Sequence, residues 1–476
     1  MAVGGGAPAV AQVPASPPAN VPPGVTLPSV EERILDDQIP DPPLPSAPLP
    51  TLPDPDELLP SGAPELPDRD RTPSDATFFV SDIDIQGSTV FTDADFADLI
   101  APYVGRQVSF DELLQLRTAI TERYVDAGYL TSGALIPPQT LVDDVVMLQV
   151  LEGQLEDIMV TGTTRLQNNY IRSRINRVAT PPLNVDNLLA GLQRLQLDPL
   201  IETVSADLQA GVRPGTSLLV LEITEADSFA VNAGTANNRS PNIGGTQRTL
   251  GVSEGNLLGI GDKFSLDYKN TDGSNGFDVS YTLPVSPNND TIRLAAGYSN
   301  SRVINSVFSA LDISSDSHYY ELGWRHPFIE TPTNDFAVGL TLSYQESQTR
   351  LGLDDIGPFP LSPGADNNGS TRVTALRFFQ EWTQRSEQHV LALRSQFNLG
   401  LDAFNSTVNA IGPDSQFLSW RGQGQWVQLL GRDTLFFLRG DAQFALDDLL
   451  SIEEFGIGGA QSVRGYRQDA LLRDNG

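Results

Sequence analysis

From about residue 227 onward the sequence alternates apolar and polar residues in short runs, and this period of two restricts what the chain can become more than any other feature. Phe264, Leu266 and Tyr268 alternate with polar neighbours, as do Phe277, Val279, Tyr281 and Leu283, then Ile292, Leu294, Ala296 and Tyr298, and then Phe336, Val338, Leu340, Leu342 and Tyr344. A period of two puts each apolar set on one face of a β-strand. Polar, glycine-rich or proline-containing breaks such as 270–276 and 352–370 separate the runs. Strands of about ten residues, apolar outward and polar inward, are the pattern of a transmembrane barrel. A soluble sandwich or propeller would also alternate, but several outward sets end in aromatics (Tyr298, Trp324, Tyr344, Trp382) as an interfacial girdle would, and the breaks are very unequal in length. No window approaches the roughly 18 consecutive apolar residues of a membrane helix, so any membrane passage must use a barrel.

Charge and composition narrow the chemistry. The 476 residues carry 30 Lys and Arg against 60 Asp and Glu, a net charge of −30. That balance opposes a phosphate backbone, so nucleic acid is not an expected partner, and the charge reads as a solvated surface. There is no cysteine, which removes disulfides, thiolate metal sites and a cysteine nucleophile. His318, His326 and His389 show no ligand spacing, so no metal is expected. Gly259-Ile260-Gly261-Asp262-Lys263 resembles a phosphate loop only superficially, since the G-x-x-x-x-G-K-[ST] spacing is absent and no helix follows. It reads as a turn between strands, and with no other nucleotide site the chain is expected to use neither nucleotide nor any other cofactor. The expectation is not an enzyme.

The N-terminal segment 1–76 reads as a linker. It holds 19 of the chain's 35 prolines and no aromatic residue, too little apolar surface to offset the entropy of ordering. Ala9-Val10-Ala11 before Gln12 has the small-residue pattern of a signal-peptide cleavage site without the usual basic and apolar segments ahead of it, as a clipped signal peptide would. Within the linker, Glu31-Glu32-Arg33-Ile34-Leu35 could dock as a short helix.

Between linker and alternating runs lies an internal repeat whose two copies match at a constant offset. Ile83, Ile85, Gly87, Ser88, Thr89 and Phe91 map onto Ile158, Val160, Gly162, Thr163, Thr164 and Leu166. Ile100 maps onto Ile175, and Ser109, Asp111, Leu113 and Leu114 map onto Asn184, Asp186, Leu188 and Leu189. Each copy reads as β-α-α-β-β, the first over 77–153 and the second over 154–226. In the first, 79–85 alternates as one strand, Thr92 with Asp95 opens a short helix, and Ser109 with Glu112 forms a capping box. The next helix carries Leu113, Leu116, Ile120 and Tyr124 on one face and stops at Gly128. Strands near 132–136 and 145–151 follow, the second rich in β-branched residues as a buried central strand should be. In the second copy Leu188, Leu192 and Leu195 line one face, and 217–224 closes the sheet.

The segments Gly128-Tyr129-Leu130-Thr131, Ala206-Asp207-Leu208 and Arg213-Pro214-Gly215-Thr216 resemble the paired polypeptide-transport-associated (POTRA) domains of the haemolysin secretion/activation family, the outer-membrane transporters of two-partner secretion. The resemblance runs from about residue 78 to the end and marks Gly87, Gly128, Tyr129, Gly162, Pro214 and Gly215 as motif positions. Near the end, Val463-Arg464-Gly465-Tyr466, approached through Glu454, Phe455, Gly458 and Gly459, matches the loop that folds into the lumen of this superfamily. The chemistry suits such a loop: glycine allows a tight tip, an arginine in a pore needs a carboxylate partner on the wall, and Tyr466 adds a rigid aromatic contact. The resemblance implies α+β periplasmic repeats followed by an antiparallel transmembrane β-barrel over 227–476. It also implies a location in the outer membrane, in contact with its lipid, with the N-terminal domains in the periplasm. The partner would be a large, β-rich secreted exoprotein, unfolded in transit, captured by the repeats and passed through the barrel. Small α+β units have open sheet edges to which an extended client can add a strand.

Related barrels have about sixteen strands, with the acid that pairs with the loop arginine on a strand after the motif. Here the sequence stops ten residues beyond Tyr466, and about eleven or twelve strands are expected. The expectation is therefore an incomplete barrel. A barrel-assembly factor of the same superfamily and a β-rich surface adhesin remain as alternatives, the first needing more periplasmic repeats and the second no pore.

Overall fold

The computed structural model describes residues 77–476 apart from 238, 332, 387, 432–433, 459–462, 464–465 and 467–470; the linker at 1–76 lies outside the described residues. The first α+β unit runs β1 (Thr77–Val80), β2 (Asp82–Gln86), α1 (Asp93–Ile100), β3 (Arg106–Ser109), α2 (Phe110–Asp126), β4 (Gly133–Leu135) and β5 (Val145–Leu151). Its sheet has the order β2-β5-β4, with β5 central, parallel to β2 and antiparallel to β4. The single strand expected over 79–85 is two strands. Ser81 donates its N–H to the Asp144 carbonyl and its hydroxyl to the Asp143 carbonyl, which turns the chain, so β1 pairs with β3 and β2 with β5. The helix signals hold. Asp95 accepts from the Thr92 N–H and hydroxyl, and Ser109 and Glu112 cap each other's backbone N–H. Leu113, Leu116, Ile120 and Tyr124 are the buried face of α2.

The second unit repeats that topology: β6 (Gln154–Thr161), α3 (Asn168–Val178), α4 (Val185–Gln196), β7 (Ile201–Ala210) and β8 (Thr216–Glu225), in the order β6-β8-β7. Gly87 and Gly162 show how literal the repeat is. They follow β2 and β6 with φ of +86° and +83°, and a Cβ would lie 2.5 Å from the Val150 carbonyl oxygen in one and 2.2 Å from that of Ile223 in the other. Only glycine lets the edge strand leave the sheet so close to the central one.

A second matched pair escapes the constant offset. Glu152 accepts from the Thr89 N–H (2.6 Å) and hydroxyl (2.5 Å), the Val90 N–H (3.0 Å) and the Tyr124 hydroxyl (3.0 Å). Glu225 accepts from the Thr164 N–H (2.6 Å) and hydroxyl (2.9 Å) and the Leu166 N–H (2.8 Å). These two carboxylates lie slightly closer in sequence than the offset that aligns the helices, and so fall out of its register. Partial burial alone would raise each carboxyl pKa, but the hydrogen bonds outweigh it and hold both below the ordinary value. A carboxylate with a depressed folded pKa stabilises above its unfolded pKa and loses that contribution as pH falls through the folded value. Stability of both units is therefore expected to decline from about pH 4 downward. Chemical denaturation across the acid range to neutrality checks it: Glu152→Gln with Glu225→Gln should be less stable at neutral pH and show a flatter acid limb than the parent.

The two units meet end to end. Just past α2, the carbonyls of Ala127 and Gly128 accept from the Asn184 side-chain amide (3.1 Å) and the Val185 N–H (2.9 Å), so the negative end of α2 faces the positive end of α4.

Beyond Asp227 the chain forms an antiparallel meander: β9 (Phe229–Ala236), β10 (Gln247–Glu254), β11 (Lys263–Asn270), β12 (Ser274–Pro284), β13 (Thr291–Arg302), β14 (Ile313–Glu330), β15 (Asn334–Leu351), the two-residue β16 (Gly357–Pro358) beside β15, β17 (Ser370–Arg385), β18 (His389–Leu401), β19 (Leu418–Gly431) and β20 (Thr434–Ala445). Among the described residues this sheet has twelve strands, and β9 and β20 do not pair with each other. Alternation holds through the register. Leu266, Val279, Ala296, Tyr320 and Tyr344 face outward in one row, while Ser265 and Ser280 share a 2.7 Å hydrogen bond on the inner side.

β14 and β15 are 18 residues each, longer than a bilayer requires. The outward positions of β15 are apolar or aromatic from Phe336 to Tyr344, and those of β14 from Phe328 to Tyr320 except His326, which pairs with Asp290; they then become Glu346 and Arg350, and His318 and Asp316. Arg350 pairs with Asp316 (3.3 Å) and Arg372 with Glu346 (2.9 Å) there. From Phe336 to Tyr344 is about 27 Å of strand, or roughly 20 Å along the membrane normal at the usual tilt, close to the height of a barrel's apolar band. The excess length is a charged hairpin standing outside the lipid.

Candidate functional site: the barrel bore and the docked α+β unit

Two features distinguish this barrel from an inert sheet: a segment folded against its inner wall, and a periplasmic-type unit seated on its rim. After β20 the chain turns back inside. Leu449, Leu450 and Ile452 pack on Val373, Ala375 and Phe417, forming a small apolar core on the inner wall. Glu453 follows, with a side chain 4% exposed, and meets Arg377 of β17, 6% exposed. The arginine donates Nη2 (2.6 Å) and Nη1 (3.0 Å) to the two carboxylate oxygens, Nη1 also to Asn398 (3.1 Å), and Nε to the Ser343 hydroxyl (3.0 Å). Further along the wall, Arg394 pairs with Glu381 and lies 4.1 Å over the Phe379 ring, and Glu381 also pairs with Arg325 (3.1 Å).

The approach residues lie just beyond. Glu454 is half-buried, whereas Phe455 is buried with the Arg421 guanidinium 5.7 Å from its ring centre. Phe455 begins β21 (Phe455–Ile457), which pairs antiparallel with β22 (Leu471–Arg473). Gly458 is buried with a φ of +121°. Of the motif, Val463 and Tyr466 are exposed and the Tyr466 N–H reaches the Val463 carbonyl at 3.4 Å. Gly459, Arg464 and Gly465 lie outside the described residues. The expected contact, Arg464 on the loop with an acid on the wall, lies outside the described residues; the pair that is described has the opposite polarity, an acid on the inner segment and an arginine on the wall. Arg377 and Glu453 are far apart in sequence, and nothing in their spacing could have paired them.

The six α+β motif positions do not form one cluster. Gly87 and Gly162 occupy equivalent bends in separate cores. Gly128 and Gly215 lie near the seam of the two units: Gly128 accepts from Val185, and Gly215, in the β7–β8 turn after Pro214, accepts from the Gln154 N–H (3.1 Å) with a φ of +78°. Tyr129 packs edge-on against Tyr124 at 6.1 Å between centroids.

The second unit sits on three strand connections. Arg165 donates to Glu254 (3.2 Å), Ser228 (3.1 Å) and the Asn256 carbonyl (3.0 Å), and Gln167 to the carbonyls of Gly259 (2.7 Å) and Leu258 (3.1 Å). Arg174, stacked 3.4 Å over Tyr170, reaches Asn289 (2.7 Å), and Asn289 holds Glu330 (2.8 Å), which also pairs with Arg194. So 255–262 is a turn between strands, as its sequence indicated, and it is also the seat for α3. The longest connections, 352–369 and 402–417, lie at the other end, although 271–273 there is short, and those at this end run from 331–333 to 255–262, as expected when the seated unit marks the periplasmic side.

A model of the haemolysin secretion/activation proteins ShlB/FhaC/HecB matches residues 215–476, more than half of the chain, and one of ShlB-type POTRA domains matches 78–153. The chain belongs to the haemolysin secretion/activation family. It is similar to the heme/hemopexin transporter protein HuxB of Haemophilus influenzae (strain 86-028NP), 24% identical over 405 residues covering 83% of this chain and 69% of that protein. It is also similar to the outer membrane transporter CdiB of Escherichia coli O6:K15:H31 (strain 536 / UPEC), 24% identical over 420 residues covering 84% and 67%. Among solved structures it shares its fold with CdiB from Escherichia coli (TM-score 0.61, 21% identity, 87% of this chain and 77% of that one) and CdiB from Acinetobacter baumannii (0.56, 17%, 87% and 78%). As a member of this family the chain is an outer-membrane transporter of two-partner secretion with periplasmic POTRA structure, handles a secreted exoprotein and is not an enzyme. Neither the assembly factor nor the adhesin is the reading that this family supports.

Proposed function

We propose that residues 77–153 and 154–226 act as paired capture units for a β-rich exoprotein that is unfolded in transit, and that 227–476 supplies the wall of the path it takes outward. The observation that carries this reading is the seating of the second unit on the barrel's short turns. A client held on that unit's sheet is delivered at the mouth of a polar bore rather than released into the periplasm. The exposed edges of β6 and β7 provide unpaired backbone groups to which an extended client could add a strand. The bore, lined by Ser, Asn, Gln, Arg and Glu side chains, offers an extended chain hydrogen bonds without a strong apolar trap. In this reading Val463, Arg464, Gly465 and Tyr466 form the tip of the loop that occupies the lumen, with Glu454, Phe455, Gly458 and Gly459 as its approach, and outer-membrane lipid surrounds the wall. No nucleotide or nucleic acid takes part.

The test is secretion of the cognate exoprotein in cells with and without the transporter, measured as client in the medium against client retained. Arg464→Ala is expected to reduce export sharply while the barrel still assembles, as judged by heat-modifiable migration on gels. Normal export by that variant removes the motif's role, and export without the transporter removes the whole reading.

A further inference from the structure

We propose that the outer face of the wall holds one phosphorylated, acylated glycolipid of the outer leaflet, its acyl chain in a cleft across β12 to β17 and its phosphate on Arg350 and Arg372. One outward row runs Val279, Ala296, Tyr320, Tyr344 and Thr374 across five strands. Ala296 and Thr374 are small and flank two tyrosines whose rings stack at 6.5 Å between centroids. Tyr344 leans toward the charged end of β15, its hydroxyl donating to Glu346 at 3.0 Å. The wall is recessed there, and with Leu294, Leu322 and Leu342 of the next row it forms an apolar cleft of about 810 Å³. The proposal depends on the barrel's place in the outer membrane and not on the route taken by the client.

A strap from the β18–β19 connection borders this cleft. The Thr374 hydroxyl donates to the Ala403 carbonyl (2.9 Å); the Arg372 N–H donates to the Thr407 hydroxyl and the Thr407 N–H to the Arg372 carbonyl, both at 2.9 Å. Between these anchors Phe404 and Asn405 line the cleft with φ of +52° and +60°. A phenylalanine takes such a backbone only where its surroundings impose it, and here the ring is left 69% exposed. The strap thus adds a second apolar side to a cleft whose first side is the wall. The seated α+β unit marks the periplasmic end, so the charged end of the cleft lies at the head groups of the outer leaflet. There Arg350 meets Asp316 (3.3 Å) and Gln348 (2.9 Å), and Arg372 meets Glu346 (2.9 Å) and Asp366 (3.1 Å). A guanidinium has five N–H donors, so each arginine can add a phosphate oxygen to the contacts it already makes, and partly exposed ion pairs are weak enough to rearrange. The carboxylates of Asp316, Glu346 and Asp366 outnumber the two guanidinium groups, which disfavours a bare anion and favours one that carries a divalent counter-ion. A glycolipid phosphate with its divalent cation satisfies the charged end while its chain fills the cleft.

The test uses the whole protein, purified from outer membranes in mild detergent, with bound lipid counted by native mass spectrometry and exchange followed against added lipid A or phosphatidylglycerol. One lipid A per chain is expected to survive washing that removes phosphatidylglycerol, and to be lost when a chelator is added. Ala296→Trp fills the recess with an apolar ring that a lipid-facing surface accepts, and Arg350→Gln with Arg372→Gln removes the phosphate contacts. Each is expected to weaken lipid A retention by at least about tenfold, with the barrel assembled as judged by heat-modifiable migration. Phe397→Trp, outward on β18 and outside the cleft, is the control and should retain lipid A as the parent does. Phe404→Ala alters the strap and no strand, so it tests the cleft even where a strand variant fails to assemble, and is expected to speed lipid A exchange. Equal retention of lipid A and phosphatidylglycerol, parent-like retention by the Ala296 variant or by the paired arginine variant, or retention indifferent to chelator would each overturn the proposal and leave an ordinary lipid-facing surface.

Discussion

Replacing Gly261 with valine is expected to unseat the second α+β unit from the barrel and bring export close to background. A Cβ at this position would lie 2.3 Å from the Tyr170 ring, and the residue's φ is +79°, where a β-branched residue is strained. The ring cannot move aside cheaply. Its hydroxyl donates to Asp198 at 2.6 Å, and the Arg174 guanidinium lies 3.4 Å over its face while reaching on to Asn289. Burial, reinforced by the Asp198 charge, drives the Tyr170 pKa far upward, consistent with a phenol locked in its neutral, donating form. Backbone strain of about 1–3 kcal/mol and overpacking of a similar size fall on one contact. The cheapest relief is separation of the two bodies. Protease protection of α3 and a secretion assay would report it, with Gly440→Ala, where a Cβ meets nothing within 4 Å, as the control. A Gly261→Val variant that keeps α3 protected and exports normally would show that this seat is not needed.

The second large effect concerns which face of the wall meets lipid. Leu294→Arg is expected to prevent stable barrel assembly, and Ser280→Arg on the neighbouring strand to permit it. Leu294 is 52% exposed and shares its outward row with Leu322 and Leu342, so a charge there sits in the apolar band and costs about 2–4 kcal/mol near the midplane. Ser280 faces the opposite way, toward Ser265 and the polar bore. Heat-modifiable migration in outer-membrane fractions distinguishes the two. Equal assembly of both variants would mean that the alternation has been assigned to the wrong faces.

Much of the architecture was readable because it depends on near neighbours in sequence. Ser109 and Glu112 sit one helical turn apart, Leu113 to Tyr124 share a helix face through a period of 3.6, and the strand faces follow from a period of two; each is a local rule. The offset that relates Gly87 to Gly162 was equally visible, because both copies need the same backbone bend at the same place. The break at Ser81 was not, since the alternation runs through it and only the carbonyls of Asp143 and Asp144, distant in sequence, turn the chain. Glu152 and Glu225 were missed because the second copy is slightly shorter by that point.

The candidate site divides along the same line. Its general place, the segment from Glu454 onward, could be read from the motif, but the buried acid is Glu453 and its partner is Arg377, and both were overlooked. A carboxylate beside another carboxylate carries no local mark of which one faces a wall. The turn at 255–262 could be read as a turn but not as a seat. The two α+β units, the strand series and the faces of those strands can be read from the residues alone, because they follow from hydrogen-bond geometry and side-chain periodicity within a short stretch of chain. That Tyr170 rests on Gly261 and that Glu453 meets Arg377 comes from the folded wall, because such contacts depend on its register, where a shift of one residue would turn Arg377 from the bore into the lipid.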